Sequence, residues 1–175
     1  IMSKIGLFFG PLKGSVHRVA DKVKTAIGEQ NVDMIPVNDA TIADLEKYNL
    51  IIFGISTVGK ETWDSNYANT DWSRFFPNIS KVDFTGKTVA VFGLGDHITY
   101  SSHFVNAMGV LAKELLKKGA TIVGHVDPTG YDFDESEAII NGEFIGLPID
   151  EDFEPELTDK RVINWVNDIK PAFGL

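Results

Sequence analysis

Five short runs of nearly unbroken apolar residues, separated by stretches with helical spacing, most constrain what this chain can fold into. They are Ile5 to Phe9, Val32 to Val37, Leu50 to Gly54, Thr88 to Phe92 and Thr121 to Val126. An antiparallel strand with one wet face alternates apolar and polar residues, whereas a strand covered on both faces reads as continuous hydrophobic sequence. These runs therefore predict parallel strands with helices above and below.

The intervening segments supply those helices. Val16, Val19, Ala20, Val23 and Ile27 fall at three- and four-residue spacing, and Gly28 follows as a stop. Ile42 to Lys47 predicts a short second helix and Asp71 to Phe76 a third, which Pro77 should end or kink. The fourth carries Phe104, Met108, Leu111 and Leu115 on one stripe and closes with Lys117, Lys118 and Gly119. The last runs from Asp159 to Ile169, with Thr158 as N-cap and Val162, Val166 and Ile169 facing inward.

Strict alternation of strand and helix implies right-handed crossovers and an α/β, doubly wound parallel sheet. Ligands bind such sheets beyond the carboxyl ends of the strands, beside the reversal of strand order. The loops after strands one, three, four and five are therefore the candidate site. Pro128 to Gly146, rich in Asp, Glu and Gly, precedes a further strand-like run, Leu147-Pro148-Ile149. It is expected to be an insertion splitting the last strand, not a boundary, so residues 1–175 form one domain.

Composition narrows the function. Asp and Glu number 25 against 16 Lys and Arg, a formal charge of −9, which disfavours nucleic acid and anionic membrane as partners and favours basic proteins. The chain has no cysteine, which excludes disulfides, thiolate metal sites and cysteine nucleophiles. No apolar run approaches the roughly 20 residues that cross a bilayer, and Ile1-Met2-Ser3-Lys4 enters the first strand without a signal-peptide layout. A cytoplasmic protein is expected.

Three loops carry chemistry. Gly10-Pro11-Leu12-Lys13-Gly14-Ser15-Val16 joins a buried strand to a helix N-terminus, where backbone amides and the helix dipole favour an anion. It matches neither GxGxxG nor GxxxxGK[ST], so neither a dinucleotide nor a nucleoside triphosphate is indicated. Gly54-Ile55-Ser56-Thr57-Val58-Gly59 is small and hydroxylated, suited to backbone contact with a polar ring edge. Phe92-Gly93-Leu94-Gly95-Asp96-His97-Ile98-Thr99-Tyr100 offers two glycines for close approach, a carboxylate and a tyrosine able to stack on a flat ligand.

Lys4 to Gly10, Phe92 to Asp96, Gly130-Tyr131-Asp132-Phe133-Asp134, Asn141-Gly142, Phe144 to Leu147, Asp150-Glu151-Asp152 and Leu157 to Val162 resemble the long-chain flavodoxins in unbroken order. The resemblance implies a five-stranded sheet of order 2-1-3-4-5 with helices on both faces. It also implies a low-potential one-electron carrier, not an enzyme, cycling non-covalent FMN between semiquinone and hydroquinone. The phosphate would lie on Pro11, Leu12, Lys13, Gly14, Ser15 and Val16. The ring would lie between Ser56, Thr57, Val58 and Gly59 on one side and Gly93, Leu94, Gly95 and Asp96 on the other, with Tyr100 stacked outside and His103 and Phe104 following. Implied partners are a flavodoxin-reductase-type donor and a low-potential acceptor enzyme docking at the acidic flavin edge of a monomer.

The chain departs from the family in three ways. Pro11, Lys13 and Val16 stand where its phosphate loop carries hydroxyls, leaving Ser15 alone, so Lys13 and His17 become candidates for charge-assisted bonds. Val58 replaces the large residue that covers the inner ring face, a role open to Trp63. His97 stands where relatives often carry glutamine, and His97 or His103 near the ring can hold a proton linked to flavin reduction. The carboxylates of 132–137 and 150–156 are expected to form a solvated face that also steers basic partners, with Asp64, Asp96 and Asp127 nearer the ring. Rival functions are an FMN-dependent quinone or nitro reductase and a flavodoxin-derived module with weakened FMN binding. A receiver domain is disfavoured, since Gly10-Pro11 and Ser56-Thr57 stand where it needs carboxylates.

Overall fold

The computed structural model describes residues 4–57 and 71–175. Strands β1 (Ile5–Phe9), β2 (Val32–Pro36), β3 (Leu50–Ser56), β4 (Thr88–Leu94) and β5 (Thr121–Val123) form one parallel sheet in the order β2-β1-β3-β4-β5. Helices α1 (Ser15–Ile27), α2 (Ile42–Lys47), α3 (Asp71–Ile79), α4 (Asn106–Lys117) and α5 (Thr158–Ile169) connect and cover it. The expected doubly wound architecture is the one observed.

Side-chain alternation along each strand divides the apolar residues between two cores. Ile5, Leu7, Phe9, Ile52 and Phe92 pack beneath α1 and α5, against Val19, Val23, Val162 and Trp165. Phe8, Ile51, Phe53, Val89 and Val91 face the opposite layer, against Leu45, Phe75, Met108 and Leu111. All these side chains are buried, and burial of each contributes roughly 1.5–3 kcal/mol. The continuous apolar runs are thus a requirement of having two covered faces.

The insertion does split the last strand. The first half of β4 pairs with β5, Thr88 to Ala90 opposite Thr121 to Val123. Its second half pairs with β8 (Leu147–Ile149), Phe92 to Leu94 opposite Leu147 to Ile149. Between them lie a two-stranded ribbon, β6 (Ile139–Ile140) and β7 (Glu143–Phe144), and an aromatic cluster of Phe104, Tyr131, Phe133 and Phe144 with ring centroids 5.1–6.1 Å apart.

Several boundaries differ from expectation for local reasons. β5 stops at Val123 because Gly124 turns at φ 84°, and Val126 instead bridges Phe144. β2 stops at Pro36, although the Val37 amide still reaches the Phe9 carbonyl at 2.8 Å. β3 and β4 each run two residues further than their apolar cores, to Ser56 and Leu94. Pro77 does not end α3, which continues to Ile79; Phe75 and Ile79 are both buried, and that burial offsets one missing backbone bond. Phe104 precedes α4, because Val105 adopts φ 48° and the helix starts only at Asn106. Thr158 is the first residue of α5, not its cap, and its hydroxyl donates to the Glu151 carboxylate at 2.6 Å.

Gly146 makes the β4–β8 junction possible. A Cβ there would lie 2.2 Å from the Val91 carbonyl oxygen, so the insertion can return against β4 only with hydrogen at that position. Gly146→Ala is expected to lower stability by about 1–3 kcal/mol, read as a reduced urea midpoint with unchanged slope.

Candidate functional site

At the carboxyl end of the sheet, where the chain order reverses between β1 and β3, lies an open cleft of about 270 Å³. Pro11, Ser15 and Val16 line one end; Ser56, Thr57, Leu94, Gly95 and Asp96 form its middle; Tyr100, Glu151 and Asp152 complete the rim. Three of the loops singled out in the sequence therefore meet at one place. The extra residues of β3 and β4 carry Ser56 and Leu94 up to it.

The first loop is built for an anion, by other means than its sequence suggests. α1 has Gly14 as N-cap with no side-chain cap and no acidic residue in its first turn, so no side chain competes for its leading amides. Lys13 does not line the cleft; it is exposed at φ 65°, and its amide donates to His17 Nδ1 at 3.0 Å. His17 itself lies against the Phe9 ring, centroids 4.8 Å apart, and so shapes the loop from behind. Arg18, which no motif singles out, donates to Ser15 Oγ at 2.8 Å. That bond uses an acceptor lone pair of the Ser15 hydroxyl, leaving its proton free to donate into the cleft.

The middle of the cleft consists of groups whose polar atoms hold the loops together. The Thr57 amide donates to the Leu94 carbonyl at 2.9 Å, and its Oγ1 accepts from the Ala107 amide at 2.8 Å. Gly95 donates to Ile149 at 3.0 Å. The Asp96 carboxylate accepts from the amides of Ile98 and Thr99 at 2.9 and 2.8 Å, an Asx turn that presents Tyr100, 36% exposed, at the rim.

Leu12 and Gly14 belong to the first loop without lining the cleft. Gly93 is buried in β4, where a Cβ would meet Met108 at 2.8 Å. His103 lies in the turn before α4, and Phe104 is a core residue in the aromatic cluster. Val58, Gly59, Trp63 and Asp64 lie outside the described residues. Asp127 does not line the cleft; it accepts from the Thr129 amide at 2.7 Å in a surface turn. Glu151 and Asp152, expected farther out, occupy the rim instead, because β8 ends directly beneath them.

The next residue inward is Asp150, whose side chain is 0% exposed. Its Oδ2 accepts from the His97 amide at 3.0 Å and meets the His97 ring at Nδ1; its Oδ1 accepts from the amides of Asp152 and Phe153, each at 2.9 Å. Burial pushes this carboxyl up, but the bonds from His97 and Phe153 outweigh it and hold it below the usual carboxylate range. Glu154 lies 3.8 Å from His97 Nδ1 and is paired to Arg161 at 3.1 Å. The direct His97–Asp150 hydrogen bond and the Glu154–Arg161 ion pair already engage these groups, which disfavours a cation site. At the rim, burial and the charges of Asp150, Asp96 and Glu151 raise the Asp152 carboxyl.

A doubly wound sheet with a switch-point cleft, an uncapped helix at one end and a tyrosine at the other, places the molecule in the class of flavodoxin-like α/β proteins. Residues 7–165 match the family model described as Flavodoxin. The flavodoxin of Synechocystis sp. is 40% identical over 171 residues, spanning 97% of this chain and 98% of the relative, and that of Picosynechococcus sp. is 41% identical over 175 residues, spanning 99% and 100%. The crystal structure of Fusobacterium nucleatum flavodoxin bound to flavin mononucleotide superposes with a TM-score of 0.88 at 28% identity, covering 98% of this chain and 99% of that one. The chain belongs to the flavodoxin family.

Asp150→Asn is expected to lower the melting temperature near neutral pH. Because the native carboxyl is depressed below its unfolded value of 3.8, its stabilisation is present above that pH and is lost as pH falls through the native value. Melting curves of the two proteins should therefore converge in acid.

Proposed function

We propose that this protein is a one-electron carrier that holds FMN non-covalently, with the phosphate at the N-terminus of α1 and the ring in the middle of the cleft beneath Tyr100. The observation that carries this is the pairing, in one cleft, of an uncapped helix N-terminus at Ser15 and an aromatic rim residue at Tyr100. The bound flavin supplies the electron chemistry. The protein's residues supply position and field.

The residues fit such a ligand. The first turn of α1 has no side-chain cap and brings Ser15 and Val16 to the cleft, which suits a phosphate there, and the Arg18 guanidinium adds positive charge beside the Ser15 hydroxyl. Lys13 contributes charge from the loop's outer side. Ser56, Thr57, Leu94, Gly95 and Asp96 present mostly backbone, which suits the edge of a flat heterocycle. Among the described residues no histidine lines the cleft; His97 faces Asp150 and His17 faces Lys13. Membership of the flavodoxin family supports a carrier over a quinone or nitro reductase.

The rim explains the choice of partner. Asp96, Glu151 and Asp152 surround the cleft, with Ile98 57% and Phe153 46% exposed beside them. An apolar contact ringed by carboxylates suits transient docking of basic redox proteins, a reductase as donor and a low-potential enzyme as acceptor, onto a cytoplasmic monomer. No described helix is long and apolar enough to cross a membrane.

Titration of flavin-free protein with FMN and riboflavin at two salt concentrations tests the assignment. FMN should bind more tightly, with an advantage that shrinks in high salt. Arg18→Gln and Ser15→Ala should each weaken FMN on the order of tenfold while leaving riboflavin unchanged. Equal affinity of the wild type for both flavins would refute the phosphate site, and failure to bind either would refute the carrier.

A further inference from the structure

His97 sits between cleft-lining Asp96 and exposed Ile98, yet its own side chain is only 11% exposed. Its amide and its ring both engage Asp150, the residue that follows β8. With the amides of Asp152 and Phe153 on the other oxygen, one buried carboxylate accepts four hydrogen bonds and fastens two loops to each other. Both loops line the cleft, one through Gly95 and Asp96, the other through Glu151 and Asp152.

The chemistry of this bond fixes which ring nitrogen carries hydrogen. An ionised carboxylate only accepts, so the ring nitrogen facing it, Nδ1, carries hydrogen whether the imidazole is neutral or cationic. A proton added to the ring goes to Nε2, and it turns a bond assisted by the carboxylate charge alone into one with an ionised group on each side. The groups around the ring are Asp150, Glu154 at 3.8 Å and Arg161, which is paired to Glu154; Asp96 and Asp152 add negative charge on the cleft side. Phe104 and Phe153 meet it edge-on, centroids 6.2 and 6.3 Å away. Carboxylates outnumber the single guanidinium.

We propose that His97 is a positioning residue of the cofactor cleft: it clamps Asp150 so that the loops after β4 and β8 hold a fixed spacing, and a proton at Nε2 tightens the clamp. FMN affinity therefore rises as the imidazole gains its proton. The inference rests on the FMN assignment made above and adds to it a link between cleft geometry and pH. Glutamine at this position has an N–H donor and no charge, so it imitates the neutral imidazole at every pH.

The test compares wild type, His97→Gln and His97→Ala for FMN affinity and for melting of the flavin-free protein, at several pH values spanning imidazole titration, about 5.5 to 8.5. At the alkaline end wild type and His97→Gln should bind FMN equally within about twofold; at the acid end wild type should bind roughly three- to tenfold more tightly. His97→Ala should bind on the order of tenfold more weakly than wild type at the alkaline end, with a pH profile parallel to that of His97→Gln. Protonation of the FMN phosphate affects all three proteins alike and cancels in the comparison. Parallel pH profiles for wild type and His97→Gln would overturn the proposal. So would an alanine variant that melts earlier yet binds FMN as wild type does, since the residue would then be structural only. If wild type binds no FMN at any pH, the cofactor assignment falls and this inference with it; that result is distinct from parallel profiles, which require binding.

Discussion

The cleft depends on how β4 is held. This strand is bonded to β3 over all seven of its residues, but its outer edge is longer than β5 can cover. β5 pairs with three positions and turns away at Gly124. Had the chain stopped there, the part of β4 nearest the cleft would present unpaired backbone, and the loop after it would start from a frayed strand. β8 closes that edge, and in doing so delivers Asp150, Glu151 and Asp152 to the site. Support of the sheet and acidity of the rim thus come from the same short strand.

The first loop shows a second economy of parts. With Ser15 as its one hydroxyl, it is shaped by a histidine that accepts the Lys13 amide and leans on Phe9, while Arg18 backs that serine. Neither of these two hydrogen bonds, nor the ring contact, involves Ser56, Thr57, Leu94 or Gly95. The loop's conformation and its charge are therefore separable: His17 governs the first, Arg18 the second.

Much of the fold is legible in the sequence because burial on two faces leaves so little freedom. The five runs gave the strands within a few residues, and Pro128 to Gly146 was recognisable as an insertion because it interrupts an otherwise regular alternation. Nine of the fifteen candidate residues that are described line the cleft. Illegible features were those created by long-range contact. Phe104 fits the α4 stripe, and only its packing against Tyr131, Phe133 and Phe144 shows that it anchors the insertion instead. Thr57 reads as a ligand-facing hydroxyl until Ala107 is seen donating to it. Glu151 and Asp152 look like solvated charges because nothing local says that β8 ends under the rim. The pairing of His97 with Asp150 spans 53 positions, and no spacing rule reaches that far.

The separation between β4 and β8 also has a consequence in time. β5 follows β4 through a single helix, but β8 can dock only after the whole insertion has closed back onto the sheet, and pairings between distant segments form slowly. Until then the last three residues of β4 offer an open parallel edge to any passing chain, flanked by apolar residues that are buried in the finished molecule. During synthesis and refolding, the most association-prone stage of this protein is the interval in which its cleft is still unfinished.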